Sequence, residues 1–321
     1  MTTPSAAPQK QLIPNTFGIK VHASRMLTIN HADDLEGLTF DPLPLIVGAG
    51  SDMVFTRDYP GTVLRLADRS EARVLPDGTV EAWGGMKFDD LVQWTLDRGL
   101  YGLENLSAIP GTVGASVVQN VGAYGAEAAQ FVASVETVDL TTAQRRTYSA
   151  AECRFGYRTS RFKAEPNREL VVRVCFKLGN TFVPNLGYKA LENMPHANAG
   201  QLREAIAELR WGKLPRPEVH GSAGSFFKNP IADSATVERL LQQYPDMPVY
   251  PGGKLAAGWL IERAGWKGRT LGRAGVWPKQ ALVLYNTGGC TGAEVVELAQ
   301  AIVADVQKQF GITLSPEAII I

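Results

Sequence analysis

The run Ile109–Gly125, IPGTVGASVVQNVGAYG, constrains this chain more than any other segment. It holds four glycines (Gly111, Gly114, Gly122, Gly125), one proline and two amides, and no charged residue. Glycine lets main chain turn through positive φ and approach another group closely, so the run reads as backbone laid against something flat or anionic. It matches neither the GxxxxGK[ST] phosphate loop nor a GxGxxG turn that opens a helix. Two readings fit: a cofactor cradle of another design, or a buried glycine-rich loop with no ligand.

A second glycine segment, GAGSDMVF (Gly48–Phe55), follows the apolar run Leu43–Val47, which predicts a buried strand and turn. Its N–H groups suit an anion nest, with the Ser51 hydroxyl as an extra donor. Together the two loops suit a pyrophosphate neutralised by amides without lysine, which makes a bound dinucleotide a live reading. Further strands are expected at Thr62–Leu66, Thr79–Trp83 and Leu170–Leu178. Helical spacing marks Phe88–Leu96, stopped by Gly99, and Gln201–Arg210. Beyond the proline-rich linker Lys213–Gly221, helices are expected near Ser234–Gln243 and Leu255–Ala264. The last helix starts at Thr291 with a capping box to Glu294 and ends at Gly311. This mixture predicts an α+β protein of at least two domains.

Three segments offer chemistry. CRFGYRTSRFK (Cys153–Lys163) sets Arg154, Arg158, Arg161 and Lys163 around Phe155 and Tyr157. It is either a basic solvated face or the source of a guanidinium for a substrate carboxylate or enolate. In GSAGSFFKNP (Gly221–Pro230), Ser225 lies between small residues and aromatics that are expected to fix its hydroxyl. It reads as a structural serine or a proton donor, and no G-x-S-x-G elbow surrounds it. Asn229 is a candidate polar anchor. SPE at Ser315–Glu317 puts a carboxylate in an apolar C-terminal segment, a setting for proton or enol chemistry unless Glu317 is simply a solvated chain-end group.

Composition closes other routes. Formal net charge is zero, which gives no support for nucleic acid or an acidic membrane surface as partner. Four scattered histidines (His22, His31, His196, His220) lack metal-ligand spacing, so no metal site is expected. Three scattered cysteines suit a reducing compartment. With no signal peptide and no run of about 18 apolar residues, a cytoplasmic protein without membrane insertion is expected. The first residues, 1–14, read as a disordered tail.

Taken in order, NTFG (Asn15–Gly18), GAGSDMVF, GLENLSAIPGTVGASVVQNVGAYG (Gly102–Gly125), CRFGYRTSRFK, KLPRP, GSAGSFFKNP, KLAAGWLIE (Lys254–Glu262), QALVLYN (Gln280–Asn286) and SPE resemble the UDP-N-acetylenolpyruvoylglucosamine reductase family, in its first-type form. The resemblance covers nearly the whole chain after the tail. It implies an FAD-binding domain of the vanillyl-alcohol-oxidase (PCMH) type in two subdomains, 15–66 and 67–210, with 311–321 returning to the active site. An α+β substrate-binding domain would span 211–310. It also implies NADPH as reductant, UDP-N-acetylglucosamine enolpyruvate as substrate, a role in peptidoglycan synthesis and a monomer. By resemblance FAD is held by Gly48, Gly50, Ser51, Ile109, Pro110, Gly111, Gly114, Ser116, Asn120 and Gly122. Substrate contacts carry over to Tyr157, Lys213, Asn229, Tyr250, Lys254 and Gln280. The catalytic set carries over to Arg158, Ser225 and Glu317, with Ser225 as proton donor. GSAGSFFKNP and SPE argue against another flavin oxidase sharing only the cofactor domain, and the retained catalytic set argues against a silent FAD- or nucleotide-binding protein. Departures are Asp52 where asparagine is usual, Trp277 where histidine is usual, Leu186 near the cover-loop tyrosine position with Tyr188 two places on, and Ala318 with a short tail.

Overall fold

A computed structural model describes residues 10–192 and 198–321. The chain divides into two compact units. The first comprises Ala23–Ala49 and Pro60–Arg210 with the N-terminal Met1–Gln11, and the second comprises Leu12–His22, Gly50–Tyr59 and Trp211–Ile321. Residues 15–66 are therefore shared between the units. Most of the expected tail, residues 1–9, lies outside the described residues. The remainder is ordered: Gln11–Leu12 is a strand, and buried Ile13 donates its amide to Val21 O.

The first unit is built on a five-stranded antiparallel sheet, in the order Arg145–Ser149, Val132–Asp139, Glu169–Phe176, Val80–Trp83, Ala72–Val74. One face is apolar, since Val80, Ala82, Val135, Leu170, Val172, Val174 and Phe176 are all buried in one core with Phe88, Leu91 and Val92 of the helix Phe88–Leu96. That helix has the predicted bounds, and Gly99 follows at φ +65°. The expected strand at Leu43–Val47 is shorter: Leu45–Ile46 runs parallel to Val63–Leu64.

The glycine run, read from sequence as backbone laid against another group, is not loop throughout. Its middle is a helix, Val113–Gln119, capped by Thr112 Oγ1, which accepts from Ala115 N at 3.3 Å. A Cβ on Gly114 would lie 3.1 Å from Val171 O and 3.2 Å from Gly84 O, so this glycine lets the helix press onto the sheet. Its amide donates to Gly84 O at 2.8 Å.

The second unit carries a four-stranded antiparallel sheet in the order Ser222–Ser225, Val283–Asn286, Ala274–Val276, Thr270–Leu271. The helix Gly292–Phe310 has the foreseen capping box, and Gly311 ends it at φ +74°. Val295, Leu298, Ile302, Val306 and Phe310 form its buried face. Ser234–Gln243 is helical as expected, whereas the next helix is Ala257–Arg263, because Lys254–Leu255 pairs with Val249–Tyr250 instead. The chain end Ile319–Ile320 runs parallel to Met53–Val54. No helix of the described residues is long and apolar enough to cross a membrane.

Candidate active site

In the first unit, two glycine segments meet where Gly48 faces the Thr112 side chain. A Cβ on Gly48 would stand 2.8 Å from Thr112 Oγ1, so the strand-to-loop turn and the cap of Val113–Gln119 touch only because residue 48 has no side chain. Gly111 sits at φ +131° and its carbonyl accepts from Phe88 N at 3.0 Å. Ile109 is buried and Pro110 half-buried beside it. The hydroxyl of buried Ser116 donates to Val113 O within its own helix, at 2.7 Å.

Asn120 ends that helix in the left-handed region and is almost wholly buried. Its Nδ2 donates to Glu127 Oε2 and to Gly156 O, both at 2.9 Å, while Oδ1 accepts from Ala129 N. It thus ties the cradle to the CRFGYRTSRFK turn. Arg158, half-buried at φ +53°, donates from Nη2 to Gly122 O at 2.9 Å. Gly122 has room for no more, since a Cβ would meet Arg158 Nη1 at 3.1 Å and Ala126 O at 3.0 Å. Tyr157 is exposed beside it, its ring centroid 5.5 Å from the Arg158 guanidinium carbon.

In the second unit, Gly50 stands at φ +63°, where a Cβ would lie 2.3 Å from Pro14 O, so only glycine fits ahead of Ser51. The backbone of Phe226 is the spine of the remaining site. Its amide donates to Leu282 O and its carbonyl accepts from Glu317 N, each at 2.8 Å. That pair brings Gln280, Ser225 and Glu317 together, and Lys228 N to Ser315 O (2.9 Å) extends it. Phe226 and Phe227 are fully buried with centroids 5.0 Å apart. Ser225, expected to be fixed by these aromatics, is instead exposed. Both rings are buried against each other while the serine stays at the surface, which corrects the prediction. Glu317 is half-buried.

Asn229 Oδ1 accepts from Ala257 N at 3.0 Å, so it caps the start of the helix Ala257–Arg263. Tyr250 and Lys254 are register partners across a hairpin whose turn uses Gly252 and Gly253 at positive φ. Gln280 Oε1 accepts from Leu282 N at 3.3 Å. Lys213, placed in a linker by sequence, is the last residue of the helix Ala199–Lys213 and is exposed.

Several site-bordering residues went unrecognised in the sequence. Glu104 is buried and accepts from Gly102 N with both carboxylate oxygens, at 3.0 and 2.8 Å. Burial raises its pKa above the ordinary carboxylate range, against those hydrogen bonds. Asn105 Nδ2 bridges Tyr124 O (2.7 Å) and Asn185 O (2.8 Å), and the Tyr124 and Tyr188 rings meet edge-on at 5.1 Å. Asp89 accepts from Ala108 N and pairs with both terminal nitrogens of Arg203. Burial raises its pKa, but Arg203 and the Ala108 amide hold it below the usual range. The detectable signal was a polar residue inside an apolar window; its partner was not legible.

Two family models match this chain: an FAD binding domain over residues 43–147 and the C-terminal domain of UDP-N-acetylenolpyruvoylglucosamine reductase over 216–321. UDP-N-acetylenolpyruvoylglucosamine reductases from Burkholderia lata and from an Azoarcus species are 47% and 42% identical to it. Those alignments span 95% and 96% of this chain and 93% and 95% of theirs. The crystal structure of the Thermus caldophilus enzyme of that name superimposes with a TM-score of 0.71 at 25% identity, covering 97% of this chain and 98% of that one.

Proposed function

The chain belongs to the UDP-N-acetylenolpyruvoylglucosamine reductase family, and from that premise we propose that Arg158, Ser225 and Glu317 carry its chemistry. It is an FAD- and NADPH-dependent oxidoreductase of peptidoglycan synthesis, and its fold is α+β with an FAD-binding domain. The cradle fits FAD: it is uncharged through Ile109–Gly125, and its glycine contact at Gly48 leaves no space for a Cβ. In this reading Gly48, Gly50, Ser51, Ile109–Gly111 and Gly122 line the cofactor. Gly114, Ser116 and Asn120 shape the helix that holds it. FAD held there would supply the hydride, drawn from NADPH, that C3 of the enolpyruvyl group receives.

The protein's own residues handle charge and protons. Arg158 neutralises the negative charge that develops on the substrate carboxylate and C2, the preorganised electrostatic help that dominates many rate enhancements. Glu317 hydrogen-bonds the same oxygens and favours the enol. The Ser225 hydroxyl gives its proton to C2, which completes addition of hydride and proton across the double bond. Tyr157, Lys213, Asn229, Tyr250, Lys254 and Gln280 bind and orient the UDP-sugar, and Tyr188, docked on Tyr124, serves as the lid tyrosine. Residues 15–66 and 67–210 form the two FAD subdomains, and 211–310 covers the substrate. The enzyme works as a cytoplasmic monomer.

One observation carries this reading. Phe226, the residue after Ser225, donates its amide to Leu282 O, two residues beyond Gln280, and accepts from Glu317 N, so segments distant in sequence meet along its backbone. Its test is anaerobic. UDP-N-acetylglucosamine enolpyruvate added to NADPH-reduced enzyme should restore the oxidised flavin spectrum, and failure to do so refutes the reading.

A further inference from the structure

Arg158 holds a backbone conformation it does not prefer. A non-glycine residue at φ +53° costs on the order of 1–2 kcal/mol and persists only where neighbours over-determine it. Here the turn closes on itself, Gly156 N to Thr159 O at 3.0 Å and Thr159 N to Gly156 O at 3.1 Å. Three side chains then bolt it to the end of the cofactor helix Val113–Gln119. Asn120 Nδ2 reaches Gly156 O, buried Ser160 donates to Val118 O at 2.7 Å, and Lys163 Nζ donates to Gln119 Oε1. Lys163 also acts on Arg158 itself, donating to its carbonyl oxygen at 3.1 Å. A cation here also complements the carbonyl-rich end of that helix.

We propose that Lys163 is a positioning residue for Arg158: by gripping the Arg158 carbonyl and the Gln119 side chain together, it fixes the arginine's peptide against the cofactor helix and so aims its guanidinium at the reacting carboxylate. This rests on the assignment of Arg158 made above. The bonds Lys163 donates run to protein atoms, Gln119 Oε1 and the Arg158 carbonyl. Its two bonds set the orientation of a strained peptide, and misplacement of a catalytic group by about 1 Å is enough to cost on the order of a hundredfold.

The test compares Lys163→Met, which keeps the apolar stem, with Lys163→Arg, which keeps a donating cation. On FAD-loaded enzyme, Lys163→Met should lower kcat for the enolpyruvyl substrate about ten- to a hundredfold. KM should stay within about threefold, and the NADPH half-reaction and FAD-to-protein ratio should be unchanged. Lys163→Arg should recover kcat to within about threefold of wild type. A purely structural lysine would shift the thermal midpoint and leave kcat alone, so kcat of Lys163→Met within threefold of wild type overturns the proposal. Equal damage in both variants overturns it too, because the donated bond would then not matter. If Lys163→Met does not fold, Lys163→Gln, a shorter uncharged donor, must give the same kcat loss at constant KM or the proposal fails. Arg158→Ala separates the two assignments: if it leaves the substrate half-reaction intact, the role of Arg158 falls and this one with it.

Discussion

Replacing Gly48 by alanine probes the closest approach in the cofactor cradle. The new methyl would lie 2.8 Å from Thr112 Oγ1, but 3.5 Å from Thr112 Cγ2 and 3.6 Å from Ala115 Cβ, which are ordinary contacts. One atom therefore decides the outcome. Thr112 Oγ1 is also the cap of Val113–Gln119, so rotating it away gives up about 1 kcal/mol. Shifting backbone instead incurs an overpacking cost of about 1–3 kcal/mol. Against either, alanine restricts the unfolded chain and returns about 0.4–1 kcal/mol. The net expectation, by the cheaper route of cap rotation, is a loss of no more than about 0.6 kcal/mol for Gly48→Ala and about 1 kcal/mol for Thr112→Ala. In the double variant the clash is gone and the cap already lost, so Gly48→Ala should cost nothing further or stabilise. The coupling energy, about 1 kcal/mol, is read from urea midpoints at constant m. FAD affinity of the apoprotein should follow, weaker by no more than about threefold in the Gly48 variant and largely recovered in the double. Additivity within about 0.5 kcal/mol would refute the reasoning, because the methyl would then be meeting something other than Thr112.

Ser225→Ala should slow the substrate half-reaction about 10²–10⁴-fold, the usual worth of a positioned proton donor, and leave the NADPH half-reaction unchanged in stopped flow. Asn286→Ala should lose about 2–3 kcal/mol by thermal or urea unfolding. Its Nδ2 donates to Phe17 O at 3.0 Å and its Oδ1 accepts from Gly288 N and Cys290 N, and Phe17 and Cys290 are buried. Asp139 is raised by burial but held down to about 2, against an ordinary 3.8, by the Thr141 hydroxyl and amide and by Arg168. A depressed carboxylate contributes stability above its unfolded pKa and loses it as pH falls through the folded one. The midpoint gap between wild type and Asp139→Asn should therefore be full above about pH 4 and vanish near pH 2. A gap constant across that range would mean Asp139 is not ionised by its partners.

Elements whose signals are local were legible. Gly292–Phe310 carries its own start in Thr291 and Glu294, its own stop in Gly311, and a continuous apolar stripe between them. Phe88–Leu96 is read the same way. Val113–Gln119 was hidden because its glycine belongs to tertiary structure: Gly114 is small for the sake of Gly84 and Val171, neither adjacent in sequence. The exposure of Ser225 was misread for a related reason. Its neighbours' bulk was visible, but the side of the chain they occupy follows from the bonds Phe226 makes to Leu282 and Glu317. The motif order picked out the proposed catalytic residues; what brings the Ser225 and Glu317 segments together is backbone pairing at Phe226, which leaves no side-chain signature.

The residues that sequence preference describes worst lie where the site is built. Ala108, Tyr124 and Arg158 adopt φ of +58°, +48° and +53°, a region none of these side chains favours and one that Ala143 and Arg154 share elsewhere. In each of the first three, another residue's side chain binds the strained residue's own backbone. Asp89 accepts from the Ala108 amide, Asn105 donates to the Tyr124 carbonyl, and Lys163 donates to the Arg158 carbonyl. Ala108 leads into the cradle, Tyr124 supports the lid tyrosine and Arg158 faces the substrate in the proposed mechanism. Strain of about 1–3 kcal/mol per residue is thus held by a polar pin at each place where the chain must aim a loop. The proposed mechanism therefore predicts that changes at Asp89, Asn105 and Lys163 affect activity as well as stability. Relieving the strain should tell the two apart. Ala108→Gly, which accepts positive φ freely, should restore most of the FAD affinity lost by Asp89→Asn, whereas a pin needed only for packing would gain nothing from it.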